Sequence, residues 1–243
     1  MALIAYNGTD AAAFAANRHL SDDALSGWRS AIIRYVDPHP GHLLDLGCGT
    51  GTWSRAFAAW WPEAEIVAVE PSAAMRDRAV FSPILPGDAA NVPAADATFD
   101  AAWLSTVIHH VPDLPAAARE LRRVLRPGAP VLIRSAFSGR HEGIALFRYF
   151  PEAIEVLDQR FPTVAAVESA FAEAGFTTEA LEPVPQPTAP SLADFASTLR
   201  REAHTPLQLI TDEAYAAGLA RLHAAAELSP DPVVDALDLL VLR

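Results

Sequence analysis

The hydrophobic pattern changes period several times along the chain. His42-Leu43-Leu44-Asp45-Leu46 is a short apolar run that passes straight into Gly47-Cys48-Gly49-Thr50-Gly51, the signature of a buried strand ended by a tight turn. A helix is expected from Thr52 or Trp53 to about Trp61. Glu65 to Glu70 reads as a second strand that ends on an acid, and Ile84 to Ala89 as a third with its tip. Ala97 to Ser105 reads as the fourth strand, and Ala129 to Ser135 as the fifth, apolar enough to be buried on both faces. Between these two, Asp113 is placed to cap a helix through about Arg126. Its apolar face is Leu114, Ala117, Leu121 and Val124 or Leu125, and Arg126-Pro127-Gly128 stops it.

The flanks are more helical. Thr9 or Asp10 can cap Ala11 to about Leu20, and Ser21-Asp22-Asp23 can open a helix to Val36 with a stripe of Leu25, Trp28, Ile32, Ile33 and Val36. Pro38 and Pro40 end it. Beyond Ser135 comes an insertion, Phe137 to Phe150, then one or two helices in 151–174 that end at Gly175-Phe176. Thr177 to Val184 is expected as a sixth strand, with Pro183, Pro185, Pro187 and Pro190 forcing an extended linker after it. Two capped helices follow, Ser191 to about Arg201 and Thr211 to about Leu228, and then a seventh strand, Val233 to Leu242. The 243 residues read as one domain: a helical arm over 1–40, a core over 42–135, and a substrate-facing insertion, lid helices and last strands over 136–243.

Composition narrows the chemistry. The net charge is −12 and the pI about 5.0, so nucleic acid and anionic membranes are repelled on average and a small-molecule substrate is favoured. All 18 basic residues are Arg, which removes Schiff-base chemistry and a lysine base. Cys48 is the single cysteine, so an intramolecular disulfide or a zinc cage is excluded, and its place in the glycine turn reads as a small filler. With no basic leader segment and no run of 18 apolar residues, a soluble cytoplasmic protein is expected.

The glycine turn carries the main chemical signal. Gly47, Gly49 and Gly51 follow G-x-G-x-G spacing, whereas a dinucleotide turn wants G-x-G-x-x-G and a phosphate loop wants Gly-Lys-Ser/Thr. Alternating glycines beside a helix start let a polar ligand touch bare backbone and its N–H groups. Glu70, at the tip of the second strand, suits two ribose hydroxyls, which a carboxylate can accept together. Taken alone Glu70 indicates an adenosine-containing ligand without choosing between cofactors.

The string Asp45-Leu46-Gly47-Cys48-Gly49-Thr50-Gly51 resembles motif I of the class I S-adenosylmethionine (SAM) dependent methyltransferases. Pro71-Ser72-Ala73-Ala74-Met75 is similar to that family's next helix start, and Gly87-Asp88-Ala89 to its adenine site. The run from Phe99-Asp100 to His109-His110-Val111, with Leu125-Arg126-Pro127-Gly128, resembles the ubiquinone/menaquinone-type small-molecule group, although Ala129 stands where a second glycine is usual. The strong matches cover about residues 42–135. The resemblance implies an α/β, Rossmann-like fold with a seven-stranded, mostly parallel sheet, helices on both faces and a helical lid. It implies SAM as cofactor, S-adenosylhomocysteine (SAH) as product, and methyl transfer to a small molecule, with secondary metabolism as one setting. The implied cofactor residues are Asp45, Gly47, Cys48, Gly49, Gly51, Glu70, Pro71, Met75, Asp88, Ala89 and Leu104, with Arg18 on the N-terminal arm beside Tyr6 and Phe14.

His109 and His110 follow the fourth strand at the ligand end of the sheet and are the candidate bases, or else simply part of the loop. His141 and Tyr149 on the insertion are weaker candidates for the acceptor site. No metal site is expected. Two other readings stay open: a cyclase or isomerase that uses the sulfonium charge without methyl transfer, and a non-catalytic SAM-binding protein.

Overall fold

The computed structural model describes residues 22–243. The expected helix over 11–20, and with it Tyr6, Phe14 and Arg18, lies outside the described residues.

Seven strands form one sheet: β1 (His42–Leu46), β2 (Glu65–Val69), β3 (Ile84–Leu85), β4 (Ala101–Ser105), β5 (Val131–Ser135), β6 (Thr178–Ala189) and β7 (Val233–Leu242). Their order is β3-β2-β1-β4-β5-β7-β6. The first five are parallel, and β7 runs antiparallel between β5 and β6. The sheet is therefore mostly parallel, as expected.

Alternation along the central strands decides which face each side chain serves. Leu44, Leu46, Leu104, Val131 and Ile133 point to one face. There they meet α4 (Leu114–Val124) through Leu121 and Val124, and α7 (Val164–Glu173) through Val167 and Phe171. Leu43, Trp103 and Leu132 point to the other, against α1 (Asp22–Ile32) through Trp28 and Ile32 and α2 (Thr52–Trp60) through Trp53 and Phe57. With apolar layers on both faces, each strand must be apolar nearly throughout, and β5 is buried at all five positions.

Four expectations are corrected. Ile33 is 49% exposed, because it lies one residue past Ile32, about 100° round the helix from the Trp28–Ile32 face. The segment expected as a linker after Val184 is strand: β6 runs on through Pro183, Pro185 and Pro187 to Ala189. It is the last strand of the sheet, and prolines two apart turn their missing N–H groups to the same, unpaired edge. β3 is only two residues long, and the strand expected from Ala97 starts at Ala101. The preceding residues turn instead, with Ala97 at φ 49° and Thr98 and Phe99 donating to Val124 O.

A third apolar cluster stands apart from the sheet. It gathers α5 (Leu146–Tyr149), α6 (Glu152–Arg160), α8 (Leu192–Thr198), α9 (Thr205–Gln208) and α10 (Asp212–Ala226) around Phe147, Phe150, Leu157, Phe195, Leu207 and Leu222. Residues of these elements face the carboxyl ends of β1, β4 and β5 across a cavity. The chain between β5 and α5 is pinned to β7. Arg140 makes a two-pronged ion pair with Asp238 (2.6 and 2.8 Å), and Ala236 N–H donates to Gly143 O (2.6 Å). The separate helix α3 (Ala73–Arg76) is a single turn capped by the Ser72 hydroxyl, shorter than the sequence suggests.

Candidate active site

The glycine turn follows β1 directly, and Gly47, Gly49 and Gly51 all take positive φ (69°, 59° and 84°). Space also demands glycine at Gly47, where a Cβ would lie 2.3 Å from Val107 Cγ2. The turn is stitched to β2, since Gly47 and Cys48 N–H both donate to Val69 O (2.8 and 3.1 Å). Gly51 closes it by donating to Cys48 O and sits at the N-cap of α2.

Glu70 is the charged centre of this turn. Its carboxylate is 7% exposed and accepts N–H bonds from Gly49 (2.9 Å) and Ser72 (2.8 Å). Desolvation raises its pKa, while the Ser72 and Gly49 N–H groups oppose the rise. A carboxylate has about four acceptor positions, and among the described residues only two are used.

Glu70 forms part of the wall of a cavity of about 510 Å³. Gly47, Gly49, Pro71, Met75, Asp88 and Ala89 line it too, so most of the residues implied for the cofactor converge there. Met75 is 3% exposed and supplies an apolar wall. Asp88 heads the turn after β3, with Oδ1 accepting from Ala90 N–H (2.8 Å). A buried carboxylate with spare acceptor positions, bare glycine backbone and an apolar thioether in one cavity fit an adenosine-bearing ligand.

A second cavity, of about 240 Å³, lies beneath the helical cap. Gly47, Ser105 and Thr106 line both cavities and form the seam between them. Thr106 holds φ 54°, uncommon for a β-branched residue, and its N–H donates to Arg134 O (2.7 Å). On the cap side the walls of the second cavity are apolar, with Ile144, Phe147, Leu157, Phe161 and Phe195. Its polar groups include His109, His204, Arg134, Gln186 and Asp235.

The histidine pair is divided between the cavities. His109 lines the second cavity, its ring stacked on Phe161 at 3.9 Å and 15°. His110 lines the first. Arg134, 6% exposed, donates to Ser105 Oγ (3.2 Å) and Gln186 Oε1 (2.6 Å) and lies 4.9 Å over the Trp28 ring.

Several expected residues stand elsewhere. Asp45 and Cys48 line the second cavity. Asp45 is 1% exposed and accepts the Ser54 hydroxyl (2.6 Å), and burial pushes its pKa up to about 7. Burial also pushes the Cys48 thiol up, which suits a filler and not a nucleophile. Leu104 is fully buried in the core and lines neither cavity, because alternation turns its neighbour Ser105 toward the ligand end instead. Gly51 shapes the turn without lining a cavity. His141 packs edge-on to Phe147, 6.1 Å away, and Tyr149 offers its carbonyl to Arg221; neither lines either of these two cavities. Ser105, Thr106, Arg134, Gln186, His204 and Asp235 were not expected. The one sequence signal for them was the "ligand end" position of Ser105 and Thr106 after β4.

Residues 44–133 match the family model for the methyltransferase domain. The chain is 30% identical over 193 residues to 2-phytyl-1,4-naphtoquinone methyltransferase of Synechococcus elongatus, covering 74% of this chain and 80% of that protein. It is 35% identical over 150 residues to malonyl-[acyl-carrier protein] O-methyltransferase of Dechloromonas aromatica, covering 59% of this chain and about half of the relative's length, 54%. A crystal structure from Anabaena variabilis, described as a methyltransferase of an antibiotic biosynthesis pathway, superposes with a TM-score of 0.73 at 21% identity, over 92% of this chain and all of that one. At that identity the last likeness establishes the fold. The chain belongs to the class I SAM-dependent methyltransferases.

Proposed function

We propose that this chain transfers the methyl group of SAM to a small molecule held under the helical cap. The observation that carries this is the pair of cavities joined at Gly47, Ser105 and Thr106. One has the groups for adenosine, and the other is a chamber with apolar walls on the cap side and polar groups on the sheet side.

When bound, SAM supplies a methyl carbon already activated by the positive sulfur. The chain's task is then mainly alignment, which is worth roughly 7–11 kcal/mol of barrier. Glu70 accepts the two ribose hydroxyls while Gly49 and Ser72 N–H hold its carboxylate in place. Asp88 and Ala89 would hold the adenine edge and Met75 its face. Ser105 and Thr106 form the passage between donor and acceptor. His109 faces the acceptor, braced by Phe161, and is placed to take a proton where the attacking group must lose one. His110 faces the cofactor side and is assigned no proton transfer.

The acceptor of the Dechloromonas relative, as its name states, is carrier-bound. The test is label transfer from methyl-labelled SAM to a library of hydroxyl- and amine-bearing small molecules. The expected result is label in one acceptor class with one SAH per label. Conversion of a compound without SAH release would contradict methyl transfer and favour the cyclase reading.

A further inference from the structure

Gln186 lies on the inner face of β6, is 8% exposed, and lines the acceptor cavity. Its side-chain oxygen receives two bonds, from Trp28 Nε1–H (3.0 Å) and Arg134 Nη2–H (2.6 Å). An indole N–H and a guanidinium are donors only, so their partner must be the amide oxygen and the amide cannot be flipped. The amide nitrogen is thereby left for the cavity. Among the described residues nothing accepts from it. Two donors of a nine-tenths-buried side chain thus point at space that a ligand would fill. A buried polar group in that position requires an acceptor atom.

The surroundings select the kind of acceptor atom. Asp235 sits directly across β6 and β7 from Gln186 and lines the same cavity. Its carboxylate accepts from Ala145 N–H (2.8 Å) and the Thr188 hydroxyl (2.9 Å), both of which hold it in place. Asp45 adds a second carboxyl group to the wall, against the single guanidinium of Arg134. A fully ionised acid at Gln186 would face the Asp235 carboxyl group across the strand pair. A neutral carbonyl oxygen meets the amide without that repulsion, and Phe147, Phe161 and Phe195 suit an apolar body attached to it.

We infer that Gln186 is a specificity-determining residue, and that the acceptor carries a neutral carbonyl oxygen on an otherwise apolar body. The inference rests on the methyltransferase reading of the two cavities. The hydrogen bond from Gln186 places the acceptor; it takes no part in bond making.

The test uses the full chain loaded with SAH, after calorimetry has shown that SAH binds. Acetophenone, ethylbenzene and benzoate are titrated by ligand-observed NMR, with and without SAH. The expected result is that acetophenone binds roughly five- to tenfold tighter than ethylbenzene, the scale of one buried hydrogen bond, and tighter than benzoate. Gln186→Glu, which keeps an oxygen for Trp28 and Arg134 but loses the amide donors, should abolish the ketone preference and leave SAH affinity unchanged. Equal binding of acetophenone and ethylbenzene by the wild type, absence of both included, overturns the inference without requiring any variant to fold. A preference for benzoate overturns the neutral class, and a ketone preference that survives in Gln186→Glu overturns the role of Gln186. Failure of SAH to bind is a separate outcome that strikes the cofactor reading, and the titrations without SAH still decide the ketone preference.

Discussion

Glu70 answers for the cofactor at the scale of a single residue. Its two backbone N–H partners fix its carboxylate before any ligand arrives. Removing it leaves two ribose hydroxyls without an acceptor, and a hydrogen bond to a charged group is worth about 1.5–3 kcal/mol. Glu70→Ala should therefore weaken SAH binding roughly tenfold to a hundredfold by calorimetry. Gly47 tests the turn itself. Gly47→Ala forces both an unfavourable φ and a contact with Val107, so it should abolish SAH binding at any concentration that saturates the wild type. Asp45 gives a pH signature. Its folded pKa of about 7 lies above the ordinary carboxylate value, so its contribution to stability is present at low pH and is lost as pH rises toward 7. The melting temperature of the wild type relative to Asp45→Asn should fall from pH 4.5 to 7 and level off above that. A difference that rises with pH over this range would show that Asp45 is ionised in the folded chain.

Legibility differs between elements for physical reasons. β1, β7 and the Asp113-capped α4 lie where the sequence places them, because each combines an apolar run with a clear stop or cap. β6 was half read. Prolines look like a linker until the strand is known to be the edge of its sheet, and that depends on pairing with β7 some fifty residues later. The Glu70 turn was legible because its partners are close in sequence. The acceptor chamber was not: Gln186 acquires its meaning from Trp28, 158 residues away, and Arg134, 52 residues away. The histidine pair was visible, but only the turn Ile108–His110 divides it between two cavities. The cap poses its own test. Arg140 ties the segment before α5 to Asp238, which is 6% exposed, so Arg140→Ala strands a buried carboxylate. The expected loss is about 2 kcal/mol in denaturant unfolding, with faster amide exchange in residues 137–150. Unchanged exchange there would show that the pair does not hold the insertion down.

For the whole molecule, the sheet supplies two chambers at its carboxyl edge, and the helical cap forms one wall of the second. We propose that the cap and the insertion act as a lid, so amide exchange over 144–160 and 192–210 should slow when SAH binds while β1, β4 and β5 stay unchanged. Both NAD and SAM carry a ribose that an acid could hold, so the identity of the ligand in the Glu70 cavity decides the chemistry. The decisive measurement is isothermal titration of the full chain with SAH and, in parallel, with NAD. Micromolar-range binding of SAH with one site per chain, and no heat from NAD, is the predicted result. Binding of NAD without binding of SAH would contradict the cofactor assignment and the methyl transfer built on it.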